Sequence, residues 1–207
     1  METVDNHACL LQNWRFLSTA ALSGADQMRL DAECLNGVEK EHLSPTLRFF
    51  RFSEPTLSYG RLQKHEDVAR LIPEKWASVQ RPTGGGVVFH KSDLCFSLCW
   101  RDGQTPLPKK PQDQYRWIHS IVLRALAADV PTRMADCRDA AAPEEPFAVR
   151  TCFANPVGFD LLKDETKIVG GALRCTRRAT LYQGSLQLPD APAFEHRLQA
   201  AFQKVLS

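Results

Sequence analysis

Stretches with the spacing of a helix and stretches with the spacing of a strand follow one another along this chain in no regular alternation. Helix spacing runs over residues 23–37, where Ala25, Met28, Ala32 and Leu35 recur three or four apart, with Ser23 placed to cap the start and Gly37 to stop it. Strand-like runs follow at 46–52 and 56–59, then a short helix over 65–72 that ends before Pro73. Further strands are expected at 77–80, 86–90 and 93–100. The strongest helix pattern covers 112–128, with Trp117, Ile118, Ile121, Val122, Ala125 and Leu126 in one stripe. Residues 138–149, rich in Ala, Pro and acid, read as a loop. Strands are expected at 158–163, 166–175 and 179–188, and a helix at 192–206. Such an order does not build a doubly wound parallel sheet. It points to an α+β fold with a mixed, largely antiparallel sheet flanked by helices.

The chain has 207 residues, 43% hydrophobic and 24% charged, which suits one soluble domain with a real core. No apolar run is long enough to span a membrane, and the N-terminal residues lack the pattern of a secretory signal. A formal net charge of +2 gives no argument for nucleic acid. Seven cysteines fit no structural zinc spacing and form no C-x-x-C pair, so reduced thiols in the cytosol are expected, and no metal site.

Five of the 11 glycines stand in two clusters, Gly84–Gly86 and Gly170–Gly171, each against an expected strand. Glycine beside a strand often marks close approach of a ligand to the backbone, although a tight bend alone explains a triple glycine as well. The first cluster lies in QRPTGGGVVFH. Arg81 there offers a fork for a carboxylate or phosphate, Thr83 leads into the glycines, and His90 follows. It is neither a P-loop nor a dinucleotide fingerprint. In the second cluster Lys167 precedes Gly170, Gly171 and Ala172. An inward lysine on a strand needs an anion or a polarised oxygen, and small residues beyond it leave room for a ligand. Cys152, in TCFANPVGFDLL, sits after the loop. A nearby ammonium would activate its thiol, and a hairpin can bring Lys167 to it.

These features fall in an order that resembles the lipoate–protein ligase and octanoyltransferase superfamily, relatives of the biotin–protein ligases. The resemblance covers roughly residues 20 to 190. It rests on SGADQMRLD at 23–31, RFFRFSEPTLSYGRLQ at 48–63 with Gly60 and Gln63, RPTGGGVVFHKSDLCFSL at 81–98, KIVGGALR at 167–174 and LYQGSLQL at 181–188. It implies the biotin/lipoate ligase catalytic-module fold, over residues 1–207 as a single domain without an accessory C-terminal domain, and a tunnel for an eight-carbon acyl chain.

Lys167 matches the family's essential lysine, and Arg81, Thr83, Gly84, Gly85, Gly86 and His90 match residues lining the acyl site, with Gly170, Gly171 and Ala172 beside them. Val87, Phe89 and Phe153 are candidate tunnel walls, and Lys167 with N–H groups near Gly170 and Gly171 the candidate oxyanion donors. CF-x-x-P-x-x-F-D at 152–160 is similar to the motif of the cysteine-dependent octanoyltransferase branch, with Cys152 as nucleophile.

The implied activity is octanoyl or lipoyl transfer through a cysteine thioester, with no cofactor. Its partners would be octanoyl-acyl carrier protein as donor and, as acceptor, a lysine of the lipoyl domains of 2-oxoacid dehydrogenases or the glycine-cleavage H protein, with no nucleic acid or membrane partner. The location would be cytoplasmic. An ATP- and Mg-dependent lipoate–protein ligase, or its catalytic half, stays open, as does a non-catalytic acyl-binding relative; biotin transfer is a minor option. Gln80 stands where the family commonly has a first arginine. Gly86 looks more like the ligase version of the loop, whereas Cys152 points to the transferase.

Overall fold

A computed structural model describes residues 14–103, 107–136, 139 and 146–206. Seven strands form the main sheet, in the order β1 (Arg15–Ser18), β2 (Thr46–Phe50), β6 (Leu94–Arg101), β10 (Ala179–Leu186), β9 (Thr166–Cys175), β8 (Leu161–Lys163) and β7 (Arg133–Met134). Only β1 and β2 run parallel; every other neighbouring pair is antiparallel. A second sheet joins β4 (Ala77–Gln80), β3 (Thr56–Tyr59) and β5 (Val88–His90). The helices are α1 (Gly24–Glu39), α2 (His65–Val68), α3 (Pro111–Leu126) and α4 (Glu195–Leu206). The mixed, largely antiparallel α+β architecture expected from the sequence is the one observed.

Side-chain alternation gives the sheet two different faces. On β6, Leu94, Phe96, Leu98 and Trp100 point into the main core, where they meet Ile118, Ile121 and Val122 of α3 and Leu198 and Phe202 of α4. The alternate residues Cys95, Ser97 and Cys99 point the other way, toward α1. Bulk on one face and small or polar groups on the other leave space under α1. That space becomes the pocket.

Several boundaries differ from the expected ones. Ser23 does cap α1, its hydroxyl accepting from the Asp26 N–H at 3.2 Å. Gly37 does not stop the helix, which runs on to Glu39. Its missing side chain instead makes room for Leu43 folding back on the helix. The helix expected over 65–72 is one α-turn followed by a 3-10 turn, Ala69–Leu71. The strand expected from 158 begins at Leu161, since Asp160 is drawn into the site. Strands β1 and β7, at the two edges of the main sheet, were not expected. Of the 138–149 stretch, residues 138 and 140–145 lie outside the described residues. Phe147–Val149 form a 3-10 turn.

Candidate active site

The β8–β9 hairpin builds the first half of the site. Its two-residue turn, Asp164 and Glu165, has φ of 47° and 63°, so β9 folds directly back on β8. That return sets Lys167, second residue of β9, beside Asp160, which immediately precedes β8. The Lys167 ammonium donates to Asp160 Oδ2 at 2.8 Å, and both side chains are almost wholly buried. It also donates to the Cys152 carbonyl at 2.9 Å and meets Cys152 Sγ at 3.4 Å. The amine and thiol expected to meet are therefore adjacent. Burial works against the ammonium, but the charges of Cys152 and Asp160, with the hydrogen bonds to both, outweigh it. The Lys167 pKa is held above the ordinary lysine value.

Asp160 had no role assigned from the sequence, although it closes the cysteine motif. Its Oδ1 accepts from the Tyr115 hydroxyl at 2.5 Å, and its Oδ2 also accepts from the Val157 N–H at 2.8 Å. The Tyr115 oxygen in turn accepts from the Gly171 N–H at 3.0 Å. That N–H is thus engaged, so it is not free for the oxyanion-donor role expected of it. Beyond Tyr115, His119 Nδ1 lies 2.7 Å from the Phe159 carbonyl and Nε2 lies 2.7 Å from the Tyr182 hydroxyl. Burial lowers the His119 pKa to about 4, so the ring is neutral, donating through Nδ1 and accepting from Tyr182.

The glycines of KIVGG serve the protein's own side chains. A Cβ at Gly170 would overlap the Lys167 side chain, and one at Gly171 the Tyr182 phenol. An amine and a phenol thus take the places where side chains on these two residues would stand.

The second half of the site is the glycine loop. The Val87 N–H donates to the Arg150 carbonyl at 2.7 Å, and the Cys152 N–H donates to the Val87 carbonyl at 2.7 Å. This short parallel bridge places the cysteine backbone directly against the loop. A Cβ at Gly86 would overlap the Arg150 carbonyl, so the bridge needs glycine there. Gly60 is needed for the same kind of reason, since its Cβ would overlap the Gly85 carbonyl. The Gln63 amide holds the corner together, accepting from the Gly60 N–H and donating to the carbonyls of Phe147 and Ala148.

Arg81 departs from its expected role. Its guanidinium is buried and donates to Ser58 Oγ at 2.7 Å, to the Gly84 carbonyl at 3.0 Å and to the Gly86 carbonyl at 2.6 Å. It tethers the loop and offers no fork to an outside anion. Gln80, on the loop's approach, donates to the carbonyls of Arg61 and Gln63. Thr83 is fully buried and donates to Gln183 Oε1 at 2.6 Å. Gln183 also donates to Asp31 at 2.6 Å, and Asp31 pairs with the buried Arg48 at 2.7 Å.

A narrow pocket lies between these halves. Cys152, Phe153, Gly170, Gly171 and Ala172 line one part; Arg81 and His90 line another. Thr83 and Gly84–Gly86 are not among the residues that line it. Of the apolar candidates only Phe153 lines it. Val88 takes the place expected of Val87, whose side chain packs under the small sheet with Leu57 and Val68, and Phe89 points outward onto Trp76. His90 is fixed by Ser58 at 2.6 Å through Nε2 and by Asp93 at 2.7 Å through Nδ1. Cys95 Sγ donates to the same Asp93 oxygen at 3.2 Å. Among the described residues these three have a donor set suited to a metal ion, but they hydrogen-bond to one another.

Residues 23–203 match the model of the lipoyl protein ligase A/B catalytic domain. The chain is 30% identical over 185 residues to the octanoyltransferase LipM of Geobacillus kaustophilus, covering 84% of this chain and 65% of that protein. It is 28% identical over 192 residues to LipM of Kyrpidia tusciae, covering 88% and 68%. The chain thus spans about two thirds of the length of these curated relatives. A solved lipoate-protein ligase A bound with ATP shares the fold, with a TM-score of 0.66 and 19% identity over 94% of this chain and 86% of that one.

Proposed function

The chain belongs to the lipoyl protein ligase A/B catalytic-domain family, and from that premise we propose that it is an octanoyltransferase working through a thioester on Cys152. The observation that carries this reading is the Lys167 ammonium 3.4 Å from the Cys152 sulfur, at the wall of a largely apolar pocket. With Lys167 as counter-charge, Cys152 attacks as thiolate on the thioester carbonyl of octanoyl-acyl carrier protein. Lys167 faces the oxyanion that develops, a contribution of about 3 kcal/mol for a well-placed donor. The carrier thiolate leaves and takes up a proton, which leaves octanoyl on Cys152. The ε-amine of a lipoyl-domain lysine then attacks, the C–N bond forms, the bond to Cys152 breaks, and the amine gives up its proton. Thioester to amide is downhill, so no ATP enters. An eight-carbon chain with about seven buried carbons, at roughly 0.8 kcal/mol each, is held by about 5 kcal/mol.

The ligase reading has Gly86 in its favour as a loop residue. Against it, the Arg81 guanidinium is spent on the loop's own carbonyls, and Gln80 brings no cation. We read residues 23–203 as one catalytic domain acting in the cytosol, with no resident cofactor.

The test is intact-mass analysis of the purified chain with apo lipoyl domain, offered either octanoyl-acyl carrier protein or lipoate with ATP. The expected result is one octanoyl group on the wild-type chain and then on the acceptor, with no ATP required, and no adduct on Cys152→Ser. Wild-type transfer by Cys152→Ser, or labelling only with ATP and lipoate, overturns the proposal.

A further inference from the structure

Strand register gives the pocket a direction. Phe50 of β2 pairs with Cys95 of β6, Cys95 with Ser185 of β10, and Ser185 with Gly170 of β9. All four members of this row line the pocket. The next row on the same face is Arg48, Ser97, Gln183 and Ala172, and only the last two reach the pocket. Its other half is filled by the Arg48 and Ser97 bonds to Asp31. The free space therefore runs across the strands, from Gly170 toward Phe50.

Gly170 marks the reacting end, because the Lys167 side chain lies where its own would be. Phe50 marks the far end. The Arg48 guanidinium sits 4.1 Å over its ring, and Phe52 packs against it edge-on at 5.8 Å. Phe52 in turn lies 4.5 Å from the His90 ring. Met28 of α1 joins Phe50 and Cys95 in one buried cluster. The stop is thus a braced ring rather than a loose side chain.

Neighbouring strands lie about 4.8 Å apart, which puts Cys95 about 10 Å and Phe50 about 14 Å from Gly170 along the row. An extended chain advances about 1.2 Å per bond, so the seven bonds from the carbonyl carbon of octanoyl to its methyl span about 8 Å. The methyl then falls over Cys95 with the Phe50 ring ahead of it. Two more carbons add about 2.4 Å and bring the end up against that ring, and two beyond those run into it.

Resting on the transferase reading, we propose that this cross-strand row is the acyl ruler of the enzyme, with Cys95 under the end of an eight-carbon chain and Phe50 as the stop that closes the row to chains longer than about ten carbons. The experiment offers hexanoyl, octanoyl, decanoyl and dodecanoyl thioesters of acyl carrier protein to the full chain and reads the acyl group on Cys152 by intact mass. Wild type is expected to favour octanoyl over dodecanoyl by about tenfold or more, the scale of discrimination available from apolar mismatch. Phe50→Ala moves the optimum to decanoyl or dodecanoyl, Phe50→Leu shifts it less in the same direction, and Cys95→Met moves it toward hexanoyl. Thermal unfolding identifies the variants that fold. The opposite directions keep the test decisive if one of them does not. Folded variants with the wild-type length profile overturn the ruler alone. A wild type that takes no acyl group from any donor overturns the transferase reading, and the ruler with it.

Discussion

On the proposed mechanism, Lys167 and its neighbours decide how tightly the reacting groups are held. Gly170→Ala places a methyl group on the Lys167 side chain, and displacing a reacting group by about 1 Å is worth on the order of 100-fold in rate. A loss of that size in octanoyl transfer is expected, read against unchanged far-UV circular dichroism; wild-type turnover would show that the lysine finds another route. Asp160→Asn leaves a buried ammonium without its anion and is expected to lower stability by about 3–5 kcal/mol in urea unfolding. Sequence alone points to Lys167 as an inward cation needing a counter-charge. It does not say which acid answers, because Asp160 and Lys167 meet only through a hairpin whose turn, Asp164–Glu165, lacks the usual Asn-Gly or Asp-Gly signature.

That turn matters for the whole β8–β9 hairpin. A glutamate with φ of 63° carries the strain of a left-handed side-chain-bearing residue, about 1–2 kcal/mol. Glu165→Gly is therefore expected to raise stability by about 1 kcal/mol in urea unfolding, with little lost at the exposed Arg133 pair. Unchanged or lowered stability would mean that pair outweighs the strain. Long elements were readable from their periods: α3 and β6 fall within a residue or two of expectation, since each buries a continuous stripe. The glycine loop was readable as special but not in its purpose. Spacing cannot show that Gly86 exists for the Arg150 carbonyl, or that Arg81 turns inward to the loop rather than outward to an anion. Such facts depend on which segments cross in space.

For the molecule as a whole, the alternation of large and small residues on β6 and β10 already separates a core face from a pocket face. What it hides is the polar layer between the faces and their helices, His119 above all. His119 has a pKa of about 4 in the folded state against 6.5 as a free side chain. The unfolded chain then binds a proton that the folded chain refuses, so this contribution is fully present above about pH 6.5 and is lost as acid carries the pH down to about 4. The difference amounts to about 3 kcal/mol across that window. Urea unfolding at pH 7 and pH 4.5 should show the decline, and His119→Gln, able to keep both hydrogen bonds without titrating, should flatten it. An equally steep decline in the variant would assign the acid sensitivity to other groups.

At Gly171 and Gly184 the sheet is bare peptide, with the Tyr182 phenol against its helix-facing side. An acyl chain bound on the opposite side, as proposed, would be separated from that phenol by a single thickness of main chain. Packing changes among α3, α4 and Tyr182 should reach the substrate without touching it. Variation far behind the cleft thus becomes a route by which this scaffold tunes what it accepts.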